Sequence, residues 1–125
     1  MAILTASAAG AASAAPIEGH WANPKESVVV NVAPCGNAYC GTVIRASAKA
    51  QDDAEEGGTD RLIGTRLMNG FTADGRGGYR GRIFLPKRNM HAGGTIRMLG
   101  PNQMVVKGCA FAGMLCRDQN WHRVR

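Results

Sequence analysis

The chain has 125 residues, 45% of them hydrophobic, with 17 glycines and a formal net charge of +6. That length supports one modest core, and the glycine content interrupts the chain too often for a bundle of long helices. No stretch approaches the ~20 consecutive apolar residues of a membrane-crossing helix, so no transmembrane segment is expected.

Met1 to Ala15 reads MAILTASAAGAASAA, a run of small residues without a charged side chain, in which Ala12-Ser13-Ala14 fits the pattern cut by signal peptidase. Residues 1–14 are expected to be a signal peptide, the alternative being an alanine-rich leader, and residues 15–125 a single all-β domain that is periplasmic or secreted. Ile17 to Trp21 then reads as a first short strand ending at Asn23-Pro24, with Trp21 as a core anchor. Ser27 to Val32 is β-branched, Pro34 to Ala38 has turn chemistry, and Gly41 to Ala46 is again apolar, which together make a hairpin. Residues 47–60 are polar and acidic, an exposed loop with one short helical turn within Ala48 to Glu56. Leu62 to Thr72 reads as a strand, and Ala73 to Gly78 as a turn.

From Tyr79 to Leu85 the residues alternate, with Tyr79, Gly81, Ile83 and Leu85 on one face and Arg80, Arg82 and Phe84 on the other. Period two is the mark of a half-buried strand. Pro86 to Gly94 reads as a loop, and Thr95 to Leu99, Gln103 to Gly108 and Gln119 to Val124 as further strands. Seven or eight short strands at regular spacing define an antiparallel barrel, with a β-sandwich as the alternative.

The four cysteines form two close pairs, Cys35 with Cys40 and Cys109 with Cys116. Three pairings are formally possible; the two local ones are favoured because each closes a short loop within a hairpin or strand corner. The C-x4-C and C-x6-C spacings, with no helix following, fit neither a C-x-x-C redox centre nor a cysteine zinc site.

Residues 1–60 carry three bases and seven acids, whereas residues 61–125 carry twelve bases and two acids. A basic face therefore belongs to the second half. In an exported protein it suits an anionic envelope component rather than nucleic acid. Arg80, Arg82 and Phe84, joined by Arg97 and Lys107 from other strands, are candidates for an anion-binding surface if the register gathers them. His20, His91 and His122 are read as surface residues, no metal or other cofactor is expected, and no carboxylate pair, nucleophile motif or phosphate loop marks a catalytic centre.

Trp21, Pro24, Cys35-Gly36, Cys40-Gly41, Gly70-Phe71, Gly81-x-Ile83, Pro86 and Trp121-x-Arg123-Val124 follow one another in an order that resembles the bacterial family called domain of unknown function 2147. The resemblance spans essentially all of the mature chain and implies a small secreted or periplasmic protein of β-structure with no assigned activity. The chain departs from the commoner family pattern in three ways. Leu85-Pro86 runs into Lys87-Arg88-Asn89-Met90 in place of a D-P and G-K-x-Y motif, Tyr79 replaces a strand tryptophan, and a second cysteine pair is present. Gly19-His20-Trp21 and Arg123 are similar to the Gly-x-Trp and late arginine of lipocalin-like barrels, in which a guanidinium stacks on an indole to close one end.

The reading that follows is a monomeric, non-enzymatic envelope protein that binds a small apolar ligand in the barrel mouth or an anionic component on the basic face. Its alternative is a structural or interaction protein with no ligand pocket. Trp21, Arg80, Arg82, Phe84, Arg97 and Arg123 are the candidate contact residues.

Overall fold

The computed structural model describes residues 15–110 and 115–125, except the side chains of residues 110 and 115. The expected signal peptide lies outside the described residues. The elements in chain order are β1 (Gly19–Ala22), β2 (Val28–Cys35), β3 (Ala38–Ala46), α1 (Ala48–Glu56), β4 (Arg66–Ala73), β5 (Gly78–Leu85), β6 (Met90–Gly100), β7 (Gln103–Ala110) and β8 (Leu115–Val124). Each strand pairs antiparallel with the next, and β8 returns to β1, so the sheet closes into an eight-stranded barrel. Closure replaces the sandwich alternative; the β1–β8 seam is short, from His20 to Ala22, and the start of β8 runs beyond it.

Side chains alternate between the two surfaces of the wall. In β6, Ala92, Gly94 and Ile96 are buried while His91, Gly93 and Arg97 are exposed, and in β7 Met104 and Val106 face the core. β6 begins at Met90, four residues into the expected Pro86 to Gly94 loop. Its glycines look like loop in sequence but pair regularly with Gly81 and Arg82 of β5. The acidic segment forms a nine-residue helix, longer than the single turn expected, because Ser47 caps it by accepting a hydrogen bond from the Ala50 amide at 3.0 Å.

Both local disulfides form, Cys35–Cys40 across the β2–β3 hairpin and Cys109–Cys116 across directly opposed positions of β7 and β8.

The core divides along the barrel axis. One end is filled: Trp21, Phe71, Ile17, Ile96 and Met104 are almost completely buried, and Tyr39 and Tyr79 meet edge to face at 6.0 Å. Burial, followed by the neighbouring Tyr39, pushes the Tyr79 hydroxyl pKa above its ordinary value. The other end, bordered by the β1–β2 turn, α1 and the β5–β6 turn, is hollow.

Candidate functional site

The filled end is held by Trp21 and Arg123, which face each other across the β1–β8 pair. Trp21 is 0% exposed and its indole N–H donates to the Ile17 carbonyl at 2.9 Å. The Arg123 guanidinium lies 4.4 Å above the indole ring. It also donates to the carbonyls of Glu18 and Pro16, both at 2.7 Å, and of Pro101 at 2.9 Å. One side chain thus ties the entering chain, the last strand and the β6–β7 turn together. Gly19 is required where this happens: its φ is +125°, and a Cβ there would lie 2.5 Å from Arg123 Nη1.

The hollow end contains a cavity of about 650 Å³, a volume typical of small-molecule sites. Its deeper wall is apolar, built from Leu62, Leu67, Met68, Ile83, Ala92, Val106 and Trp121. Three glycines shape the neighbouring wall. Gly81, Gly94 and Gly108 lie side by side on one row across β5, β6 and β7. A Cβ at Gly81 would meet the Phe71 ring at 2.7 Å, and one at Gly94 would meet Ile83 Cδ1 at 2.4 Å. Phe71 and Ile83 therefore rest against bare backbone. At Gly108 the only nearby atom is Ile83 Cδ1 at 3.6 Å, and this glycine borders the cavity.

Helix α1 forms one side of the mouth. Ala54 is its buried residue, and its end is latched to the β5–β6 turn, where Thr59 donates its hydroxyl to the Pro86 carbonyl at 2.9 Å. The approach is so close that a Cβ on Gly57 would sit 2.1 Å from the Lys87 carbonyl oxygen. Asp53 joins the same two elements, with Lys49 at 3.0 Å and Lys87 at 3.9 Å. Hydrogen bonding from Lys49 is the main cause that holds the Asp53 carboxyl below its ordinary range and raises Lys49 above its own. Beside the start of α1, where the Ser47 amide donates to the Ser27 carbonyl at 2.9 Å, Asn23 shapes the β1–β2 turn, accepting from the Ser27 and Val28 amides at 2.8 and 3.0 Å.

The candidate residues fall into three places. Trp21 and Arg123 meet at the filled end. Arg80, Arg82 and Arg97 are exposed on the outer face of β5 and β6, with Gly78 opposite Arg97 and Arg80 opposite Thr95, and Lys107 follows opposite Thr95 on β7. Phe84 packs against His91 on the neighbouring strand with centroids 5.1 Å apart, and it borders the cavity at the rim. His20 lies on β1, and His122 on β8 is 2.9 Å from Glu26. Among the described residues no three His, Cys, Asp or Glu side chains converge as a metal site would require.

Sequence reasoning missed the inner face of β8. Alternation from Trp121 carries Gln119 and Arg117 onto the cavity wall. The indole N–H of Trp121 donates to Gln119 Oε1 at 3.1 Å, and Arg117 stands opposite Gly108. The wall of this strand therefore passes from indole to carboxamide to guanidinium.

An eight-stranded antiparallel barrel with one end plugged by a tryptophan–arginine pair and the other end open is a lipocalin-like barrel. It is similar to a solved structure described as "Protein HP1028 from the human pathogen Helicobacter pylori belongs to the lipocalin family", with a TM-score of 0.65 and 8% sequence identity over 87% of this chain and 83% of that one. At this identity the likeness is one of fold. The chain belongs to the bacterial family described as "Uncharacterized protein conserved in bacteria (DUF2147)", whose profile matches residues 19–123. No curated protein matches it.

Proposed function

We propose that this protein is a non-enzymatic binding domain of the bacterial envelope that takes a small apolar ligand into the open half of its barrel. The observation that carries the reading is the division of the interior: one half is packed solid around Trp21 and Phe71, while the other keeps an apolar-walled cavity of about 650 Å³ open to the outside. A barrel needing only stability would fill both halves, since unfilled apolar space forfeits packing contacts. The latch between α1 and the β5–β6 turn holds the mouth in shape, which lowers the ordering cost of binding. Two disulfides suit an oxidising compartment, supporting residence in the periplasm or outside the cell. The chain acts as a monomer in this reading, its strands pairing with one another round a closed ring.

The test is native mass spectrometry of the protein recovered from the envelope fraction of a bacterial cell, compared with Gly108→Leu, which projects a side chain into the cavity. A small-molecule adduct on the wild-type protein that is absent from the variant is expected. Ala92→Leu, on the neighbouring wall, serves the same purpose. Equal adducts on all three proteins, or none on a wild-type sample offered a range of apolar molecules, would refute the proposal.

A further inference from the structure

The apolar cavity ends in an unevenly charged mouth. Five bases border it, namely Lys25, Lys49, Lys87, Arg88 and Arg117, whereas among the described residues Asp53 is the one acid that does so. Asp53 is already engaged by Lys49 and Lys87. Glu26, on the β1–β2 turn, is taken by His122 at 2.9 Å. Lys25, Arg88 and Arg117 have no ion-pair partner among the described residues. An excess of cations at the rim of an apolar chamber does nothing for the chamber's own stability, because like charges gathered there repel.

Arg117 differs from the rim lysines in being placed by the strand itself. It occupies an inward position of β8, two residues beyond Gln119 and four beyond Trp121, and its neighbour across the ladder is Gly108, which has no side chain to crowd it. Gln119, which borders the cavity, accepts from the Trp121 indole through Oε1, so its amide group keeps its own N–H donors. Along this one strand a ligand meets an apolar ring, then a neutral donor, then a guanidinium able to grip two oxygens at once.

We infer that the ligand is a single-chain amphiphile with an anionic head, its apolar tail beside Trp121 and Met68 and its carboxylate or phosphate ester on Arg117 at the mouth. This rests on the cavity being a binding site and adds the head-group chemistry. The arginines of the outer face, Arg80, Arg82 and Arg97, lie on the other side of the wall and take no part. A water-filled mouth weakens each charge contact, yet the guanidinium and the surrounding excess of bases still favour an anionic head about tenfold over a neutral one of the same chain length.

The experiment titrates dodecanoate, dodecyl phosphate and dodecanol, each below its aggregation concentration, into wild-type protein, Arg117→Glu, Lys87→Glu and the outer-face variant Arg82→Glu. Calorimetry reads affinity. Wild-type protein and Arg82→Glu are expected to bind at least one acid about tenfold more tightly than the alcohol, and the acid that gains more identifies the head as carboxylate or phosphate. In Arg117→Glu the ratio of acid to alcohol affinity falls to about one or below, and in Lys87→Glu it falls part of the way. Equal binding of acids and alcohol by the wild type overturns the head-group inference and leaves the cavity reading standing. The head-group inference is equally overturned if Arg82→Glu, and not Arg117→Glu, removes the preference, since the anion is then held outside. Failure of all three molecules to bind overturns both.

Discussion

The sealed end makes the sharpest energetic prediction. Replacing Arg123 with Met keeps an unbranched stem over Trp21 but removes the charge that donates to the carbonyls of Pro16, Glu18 and Pro101. A hydrogen bond from a charged group is worth about 1.5–3 kcal/mol when shielded, which applies to the part-buried bond to Glu18. The bonds to Pro16 and Pro101 are exposed and contribute on the ~0–1 kcal/mol scale of surface charges, and the stacked guanidinium adds about 1 kcal/mol. A loss of about 3 kcal/mol is expected. For a domain of this size that is roughly 12 °C in thermal midpoint, or a fall of about 1.5 M in the urea midpoint. Gly19→Ala should cost a similar amount, because its Cβ would occupy the guanidinium's place in a backbone conformation that disfavours a side chain. Since both changes break one lock, the double variant should be more stable than the sum of the two losses implies, by at least 1 kcal/mol. Near-ultraviolet circular dichroism and urea unfolding measure all three variants. A loss below about 1 kcal/mol for Arg123→Met, or strict additivity with Gly19→Ala, would show that the contact is incidental.

Three further outcomes follow from particular contacts. Gly57→Ala pushes a Cβ against the Lys87 carbonyl; because backbone cannot swing aside as a side chain can, a loss of about 1–3 kcal/mol and faster amide exchange in α1 are expected by hydrogen-exchange mass spectrometry. Replacing Cys109 and Cys116 together with Ser should cost about 2.5 kcal/mol on the loop-entropy scale, read as a shift in urea midpoint, with the barrel's far-ultraviolet spectrum unchanged. Asp74 accepts from the amides of Arg76 and Gly78 at 2.7 and 3.1 Å, which holds its carboxyl below the usual range. A group with a lowered folded-state pKa stabilises above its unfolded pKa and loses that contribution as pH falls through the folded one. The stability gap between wild-type protein and Asp74→Asn should therefore shrink on acidification from neutral pH to below the folded value. A gap independent of pH would contradict the assignment.

Much of the wall was legible because strands report themselves through period two and turns through glycine, proline and asparagine. β5 came out within one residue of its observed start for that reason, and the break expected between Leu99 and Gln103 falls where β6 gives way to β7 at Pro101-Asn102. The local cysteine pairing was also readable, since a hairpin brings near sequence neighbours together, whereas the meeting of Trp21 with Arg123 was implied only by the resemblance to lipocalin-like barrels. The cavity was not legible. Its wall brings together Ile83 of β5, Gly108 of β7 and Arg117 of β8, and which residues share that wall is decided only once the register is fixed. The stretch Cys116-Arg117-Asp118-Gln119 is polar on both faces and shows no alternation, because a water-accessible inner wall tolerates Arg117 and Gln119 as readily as solvent does.

The two tryptophans allow the central claim to be measured in one spectrum. Trp121 lines the cavity and its indole N–H meets Gln119, whereas the Trp21 indole N–H is buried at the sealed end against Ile17. In a ¹H–¹⁵N titration with dodecanol, the Trp121 indole resonance should move and saturate while that of Trp21 stays fixed, and Gly108→Leu should abolish the movement. If neither indole responds while shifts gather on the outer face around Arg80, Arg82 and Arg97, the barrel is not the binding site.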